Sequence, residues 1–140
     1  MSLIIEQIIK VRFSDTDAMG VVWHGNYIKF FEDGREAFGE KYDLHYLDIY
    51  NHGYFTPIVK TEITHKAPIA YGDTIKMITK FVPQRSAKMV FDYEIINADT
   101  QEVCAVGRTM QVFLKAEVRI LELNAPEFYD RWRKENNVHI

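Results

Sequence analysis

The chain has 140 residues, of which 47% are hydrophobic and 26% are charged, and its formal net charge at pH 7 is −3. This length fits one domain with a substantial core and is too short for two ordinary domains, so we predict a single domain over residues 1–140. The composition is typical of a soluble globular protein. The slight negative charge argues against broad electrostatic binding to nucleic acid or to an anionic membrane.

The N-terminus and the cysteine content predict a cellular compartment. Residues 1–6 lack the basic segment and the long apolar run of a signal peptide. No segment approaches the roughly 20 apolar residues that a membrane helix needs. Cys104 is the only cysteine, so it has no partner for an internal disulfide, which fits a reducing environment. These features predict a cytoplasmic protein without a membrane span.

The first predicted element is a strand over residues 3–13. Apolar and charged residues alternate along it, which would place Leu3, Ile5, Ile9, Val11 and Phe13 on one face. Because this pattern is typical of a half-buried strand, we expect that face to meet the core.

A polar loop follows and is dense in groups that can do chemistry. Within residues 14–27 it carries the carboxylates of Asp15 and Asp17, the imidazole of His24, and two glycines, Gly20 and Gly25. A polar loop between two regular elements is a common place for a binding or catalytic site. We therefore expect the site of this protein to be built on this loop.

A long amphipathic helix is predicted from Asn26 to about residue 40. Tyr27, Phe30 and Phe38 recur near helical spacing, and the Asn26 side chain is a suitable N-cap acceptor. The positive end of the helix would stabilise an oxygen that gains negative charge. Gly34 costs roughly 1 kcal/mol relative to Ala inside a helix. It marks either a tolerated weakness or the close approach of a strand.

The rest of the chain predicts four more strands and a short helix. Residues 41–53 form a second helix or an ordered loop, and their aromatic side chains belong to the core or to a pocket wall, with the core favoured. Asn124 is the predicted cap of the last helix and Pro126 lies in its first turn. Short polar turns between the strands indicate antiparallel hairpins. The strands are residues 55–66, 73–82, 87–97 and 102–114, the last with an extension to residue 120, and the helix is residues 125–134.

These elements indicate an α+β fold in which a five-stranded antiparallel sheet curls around one long helix. The loop motif adds a family resemblance, because its order resembles that of the hotdog-fold acyl-CoA thioesterases. It is similar above all to the 4-hydroxybenzoyl-CoA thioesterase and to the small bacterial thioesterases encoded near Tol–Pal genes. The likeness continues through residues 56–59 and 71–73. The motif residues are Asp15, Asp17, Gly20, Val22, His24, Asn26 and Tyr27.

The resemblance implies roles for the loop residues. Asp17 matches the catalytic carboxylate of the family, which acts as a nucleophile or as a general base, whereas without the motif it would only brace a turn. His24 would orient Asp17, water or the thioester carbonyl, and it matches the Tol–Pal-associated group, since the aromatic thioesterase has Tyr there. Asp15 is expected to hydrogen-bond loop backbone. Gly20, Gly25, Asn26 and Tyr27 are the expected oxyanion or substrate-positioning residues.

Thioester hydrolysis of this kind needs no metal or cofactor, and no His and Cys spacing typical of a zinc site is present. Coenzyme A carries phosphates, so basic groups are expected near the mouth of its site. Lys66, Arg85, Ser86 and Lys88 are the weaker candidates for that role, and the turn at residues 85–88 concentrates these donors.

The expected partners are an acyl-CoA substrate and further copies of the chain. In the family, two subunits pair edge strands and share sites at their interface, often as a tetramer, so a dimer or a dimer of dimers is predicted. Two alternatives to acyl-CoA hydrolysis remain open at this point. One is a thioesterase that acts on an acyl carrier protein, and the other is a non-catalytic protein that binds acyl thioesters.

Overall fold

A computed structural model describes residues 3–139, so residues 1–2 and 140 of the predicted domain lie outside the described range. Its strands are β1 Ile4–Lys10, β2 Tyr54–Phe55, β3 Ile58–His65, β4 Thr74–Val82, β5 Lys88–Asn97, β6 Val103–Val112 and β7 Leu114–Lys115. The main sheet has five antiparallel strands in the order β1-β4-β5-β6-β3, and a two-stranded ribbon joins β2 to β7. The helices are α1 Asn26–Tyr42, α2 Tyr46–Asn51 and α3 Glu127–Glu135.

The long helix α1 packs on the inner face of the sheet, against β1, β4 and β5. Alternation sets that face, since the side chains of Ile75, Met77 and Phe81 point inward from β4 and are buried. Phe31 of the helix stacks on Tyr93 of β5, with ring centroids 4.1 Å apart. The predicted hotdog arrangement, a sheet curled around one helix, is confirmed.

Gly34 shows why the helix can lie so close to the sheet. It is buried, and a Cβ at this position would collide with the hydroxyl of Thr79 on β4. The close approach of a strand, one of the two interpretations of this glycine, is therefore the one that the structure supports.

Several predicted boundaries were wrong. β1 ends at Lys10, and a 3-10 turn over Phe13–Asp15 follows, which leaves the Phe13 side chain exposed instead of in the core. The strand predicted over residues 55–66 is divided into β2 and β3. The strand predicted from residue 102 ends at Val112, and Leu114 then pairs with Leu121. Pro126, and not Asn124, is the N-cap residue of α3.

The two ends of the sheet carry different features. The polar loop connects the end of β1 to α1 and pairs with the segment before β4, where Val21 bridges Ala70. The turn of residues 83–87 between β4 and β5 follows the other end of β4, a strand of nine residues that rises about 3.3 Å per residue. The turn and the loop therefore lie at opposite ends of the sheet. No helix within residues 3–139 is long and apolar enough to cross a bilayer.

Candidate active site

The first half of the loop is organised by Asp15. Its side chain is 1% exposed, and its Oδ2 accepts a hydrogen bond of 2.9 Å from the backbone N–H of Arg12. The guanidinium of Arg12 and the ammonium of Lys29 lie 3.6 Å and 3.7 Å from its carboxylate oxygens. The backbone carbonyl of Asp15 also accepts from the N–H of Trp23 at 3.0 Å. Asp15 therefore holds loop backbone, as predicted.

Asn26 has a different role from the predicted one. Its side-chain amide donates a hydrogen bond of 2.7 Å to the carbonyl of Asp15, and it is the first residue of α1, after the N-cap residue Gly25. The prediction that the Asn26 side chain accepts from the helix N-terminus was wrong. The amide instead fixes the start of α1 to the buried turn around Asp15.

Asp17 begins a second, more open turn. Its Oδ1 accepts a hydrogen bond of 2.8 Å from the N–H of Met19, and its backbone carbonyl accepts from the N–H of Gly20 at 3.0 Å. The turn needs a glycine at residue 20, where φ is +77°. The half-buried Asp17 thus keeps one carboxylate oxygen without a protein partner among the described residues.

The start of α1 offers unpaired donors. The backbone N–H groups of His24 and Gly25 donate to no acceptor within residues 3–139, whereas those of Asn26 and Tyr27 already bond the carbonyls of Trp23 and His24. Free N–H groups at a helix start are suited to stabilising an oxyanion. Among the predicted positioning residues, Gly25 offers such a donor, while Gly20 donates within its own turn.

Gly25 also has a packing role, since a Cβ there would collide with the Trp23 ring. That ring lies 4.9 Å from the exposed imidazole of His24, measured between centroids. His24 lines a shallow cleft of about 330 Å³ together with Tyr27, His65 and Lys66. Asp17 is not among the residues that line this cleft.

Tyr27 is a buried residue of this cleft. Its ring packs edge-on against His65, with centroids 4.5 Å apart. Burial raises the pKa of the Tyr27 phenol, and the nearby thiol of Cys104 adds to the shift. The phenol is therefore neutral near pH 7, which suits hydrogen bonding or packing better than proton abstraction.

The predicted coenzyme A residues do not all lie together within one chain. Lys66 lines the cleft beside His24, whereas Arg85 and Ser86 lie in the turn at the opposite end of the sheet and Lys88 begins β5 directly after it. A single subunit therefore brings Lys66, but not the Arg85 turn, to the loop.

A second cavity, of about 590 Å³, was not predicted as a site. Its lining comes from α1, α2 and the ends of β5 and β6, and from Thr56 and Pro57 just before β3. The core assignment favoured for the aromatic side chains of residues 41–53 was wrong for Tyr46 and Tyr50, which are exposed. Tyr46 lines this cavity together with the buried Leu44 and Ile49. Its apolar lining residues are Phe38, Leu44, Ile49, Phe55, Met89, Phe91 and Leu114.

Two polar side chains of this cavity also escaped sequence reasoning. Arg35 donates a hydrogen bond of 3.0 Å to Tyr93, and Gln111 donates one of 2.8 Å to the carbonyl of Thr56. Strand alternation places Gln111 on the inner face of the sheet, but it does not indicate a cavity there. Only the assembled α1, α2 and sheet create that space.

One group of side chains has the composition of a metal site. The ligand atoms of Glu36, Glu40 and His45 lie within 4.8 Å of one another. However, Nδ1 of His45 accepts a hydrogen bond from the N–H of Leu47 at 3.3 Å, which places the ring proton on Nε2. In this arrangement the imidazole offers no free lone pair to an ion. The group is better explained as a capped helix start beside two exposed carboxylates.

A sequence profile of the thioesterase-like superfamily matches residues 11–133. The chain belongs to this superfamily. The match begins just before the polar loop and ends within α3, so it includes both turns of the loop and the whole of the main sheet except β1.

Individual relatives agree with this membership. The candidate acyl-CoA thioesterase YneP of Bacillus subtilis is 36% identical over 89 residues, which are 64% of this chain and 64% of YneP. The acyl-CoA thioester hydrolase YbgC of Escherichia coli is 26% identical over 91 residues, which are 65% of this chain and 68% of YbgC. The chain thus aligns with slightly less than two thirds of the length of YneP.

The fold is shared over nearly the full chain with a solved structure. A DHNA-CoA thioesterase from Staphylococcus aureus superposes with a TM-score of 0.82 at 26% identity, and the superposition covers 98% of this chain and 96% of that one. A hypothetical protein from Thermus thermophilus superposes with a TM-score of 0.81 at 29% identity, covering 96% and 98% of the two chains.

Proposed function

We propose that this protein hydrolyses acyl-CoA thioesters to a free acid and coenzyme A. The observation that carries the proposal is the loop itself, which supplies both the half-buried carboxylate of Asp17 and the N–H groups of His24 and Gly25, which have no acceptor within residues 3–139. Such a pairing supplies the two needs of the reaction, which are an attacking or base group and donors for the oxyanion. The named relatives YneP and YbgC support coenzyme A as the thiol.

Asp17 acts in this proposal as a nucleophile or as a general base. As a nucleophile it attacks the thioester carbonyl, expels the coenzyme A thiolate and forms a mixed anhydride that water hydrolyses. As a base it takes a proton from water, which attacks the same carbonyl. In both routes the carbonyl oxygen becomes negative, and the free N–H groups at the start of α1 would bind it.

The site is proposed to be complete only in a pair of subunits. Within one chain, Thr56 and Pro57, just before β3, line the apolar cavity, whereas His65, at the end of β3, lines the His24 cleft. β3 is an edge strand of the main sheet, and all of its residues except Ile63 are exposed. An unpaired edge of this kind favours pairing with another strand.

Antiparallel pairing of β3 with β3 of a second copy would join these features. Around a two-fold axis, the start of one β3 lies beside the end of the other. The cavity of one subunit would then adjoin the His24 cleft of its partner. The Arg85 turn of the subunit that supplies the cavity would lie at the same end as the partner's cleft. The acyl group is proposed to occupy the cavity, and the basic groups Lys66, Arg85 and Lys88 to face the phosphates of coenzyme A.

Light scattering tests this assembly. We expect a dimer or a dimer of dimers at micromolar concentration. A Thr61→Pro substitution in the middle of β3 should shift the mass toward the monomer, because proline removes an N–H donor from the edge. The matched control is Thr100→Pro, at an exposed turn outside the strands. A monomeric wild-type protein would overturn the shared site.

Hydrolysis of a panel of acyl-CoA esters tests the activity. The panel contains short, medium and long straight chains and aromatic acyl groups, and the released thiol is followed with a chromogenic reagent. We expect thiol release well above the spontaneous rate for at least one acyl group. The buried Cys104 contributes one protein thiol, so a reaction without substrate gives the background.

The outcomes separate the alternatives. Binding of acyl-CoA without hydrolysis of any member would identify a binding protein. Hydrolysis of the same acyl groups on an acyl carrier protein alone would identify that carrier as the substrate. The cytoplasmic location predicted from the sequence stays a prediction.

A further inference from the structure

The turn between β4 and β5 is hydrogen-bonded to the last helix, α3. Arg133 of α3 is 5% exposed, although it carries a charge, and its guanidinium donates a hydrogen bond of 2.7 Å to the backbone carbonyl of Gln84. The same guanidinium pairs with Asp130 and stacks over the Tyr129 ring at 4.7 Å. Lys and Arg side chains are seldom buried to this extent unless they are paired.

A second bond from α3 reaches the other side of the same turn. The hydroxyl of Tyr129, whose side chain is fully buried, donates to the backbone carbonyl of Lys88 at 3.4 Å. The two accepting carbonyls, those of Gln84 and Lys88, therefore bracket Arg85 and Ser86. The short helix fixes both sides of the segment that carries the turn's exposed basic side chain.

The helix is itself firmly anchored, so it can act as a base for this contact. The indole of Trp132 donates a hydrogen bond of 2.6 Å to the carbonyl of Tyr42 at the end of α1. The Trp132 and Tyr129 rings stack with centroids 5.8 Å apart. The turn is thereby connected through α3 to the central helix.

This connection costs free energy that a purely apolar contact would avoid. The Nε atom of Arg133 is buried and has no hydrogen-bond partner within the described residues. A buried polar atom without a partner costs about 1–3 kcal/mol. Packing alone therefore does not explain an arginine at this position. Its guanidinium is well suited to holding a backbone carbonyl at a fixed position.

We infer that Arg133 is a positioning residue for coenzyme A, which acts by holding the turn of Arg85 and Ser86 so that their donors meet the phosphates of the ligand. This inference rests on the proposed function, because that function makes coenzyme A the ligand. Arg133 itself touches the turn and not the ligand. Tyr129 has the same role, and its longer hydrogen bond contributes less.

Calorimetric titration with coenzyme A alone tests the inference on the intact protein. Arg133→Met keeps an apolar stem of similar length and removes the hydrogen bond to Gln84. We expect its Kd for coenzyme A to rise about tenfold, which is the lower end of the roughly 10- to 100-fold losses found when groups that orient metal ligands are removed. The control is Arg131→Met, which removes an exposed charge of the same helix and should leave Kd unchanged within about twofold.

Steady-state kinetics distinguish positioning from a general loss of structure. For Arg133→Met, KM for an acyl-CoA should rise about tenfold while kcat changes little. KM for the same acyl group on N-acetylcysteamine, which lacks the nucleotide, should not change. Arg133→Lys, which can still donate to the Gln84 carbonyl, should recover part of the loss. If Arg133→Met fails to fold, Tyr129→Phe removes only the hydroxyl and should raise KM for acyl-CoA about twofold to threefold.

The results separate this inference from the proposed function. A wild-type protein that binds coenzyme A but hydrolyses no acyl-CoA overturns the proposed function, and the Kd series then decides the role of Arg133 alone. Equal Kd values for the wild type and Arg133→Met overturn the positioning role. Equal KM increases for the acyl-CoA and its N-acetylcysteamine analogue do so as well, because they show a structural defect. Absence of coenzyme A binding by the wild type overturns both.

Discussion

The two turns of the polar loop place two aspartates, two residues apart, in opposite surroundings. In the turn Phe13–Asp15, the carboxylate of Asp15 is enclosed and contacts the backbone N–H of Arg12 and the side chains of Arg12 and Lys29. In the turn of residues 17–20, the carboxylate of Asp17 accepts one hydrogen bond, from Met19, whose own side chain is 80% exposed.

This difference in burial gives the two aspartates different roles, one structural and one chemical. The Asp15 carboxylate is 1% exposed, so even its Oδ1, which accepts no hydrogen bond from the described residues, is out of reach of a substrate. The Asp17 carboxylate is only half-buried, so its second oxygen can reach water or a thioester carbonyl. Asp15 is therefore the structural aspartate, and Asp17 is the one proposed to react.

The largest expected effect comes from Asp17→Asn. The amide keeps an oxygen that can accept the Met19 N–H, so the turn should survive, but it cannot act as a nucleophile or as a base. General-base catalysis alone contributes roughly 100- to 10,000-fold, so we expect kcat on a good acyl-CoA substrate to fall at least about 100-fold. The rate of thiol release under saturating substrate measures this.

Two controls keep this result specific to the reactive carboxylate. The variant should retain the wild-type mass in light scattering and a melting temperature close to that of the wild type, since the turn is unchanged. KM should change much less than kcat, because coenzyme A is proposed to be held by other residues. Retention of more than a tenth of wild-type turnover would show that Asp17 is not the reacting group.

Sequence reasoning recovered those parts of the molecule that depend on local pattern. Helical spacing placed Tyr27, Phe30 and Phe38 on one face of the long helix, and all three are buried in the core. These features could be predicted because side-chain periodicity follows directly from strand and helix geometry. The family motif predicts that the loop carries the site, and this stays a prediction.

Contacts between distant segments could not be predicted in this way. The Asn26 amide bonds the Asp15 carbonyl eleven positions earlier, and this contact overrides its local tendency to cap the helix. Arg85 and Lys66 look equivalent as basic residues, yet strand order places them at opposite ends of the sheet. Arg133 gives no sign of burial in an otherwise amphipathic helix, and only its contact with Gln84 reveals its position.

The smaller expected effect comes from Asp15→Asn, which should act on stability more than on chemistry. Asparagine keeps an acceptor for the Arg12 N–H but removes the charge that faces Arg12 and Lys29. Hydrogen bonds to charged groups contribute about 1.5–3 kcal/mol, and both cations are partly exposed, which weakens their share. We expect the free energy of unfolding to fall by about 2 kcal/mol, measured by denaturant titration.

This prediction depends on the burial of Asp15, so its control is an exposed aspartate in a turn. Asp99→Asn, between β5 and β6, should change stability by less than about 0.5 kcal/mol. The rate loss of Asp15→Asn should be well below that of Asp17→Asn, because the buried residue acts only by ordering the loop. All proteins are compared at one concentration, since the stability of an oligomer depends on it. If Asp15→Asn and Asp17→Asn lost the same stability and the same turnover, the two turns would not divide structure from chemistry.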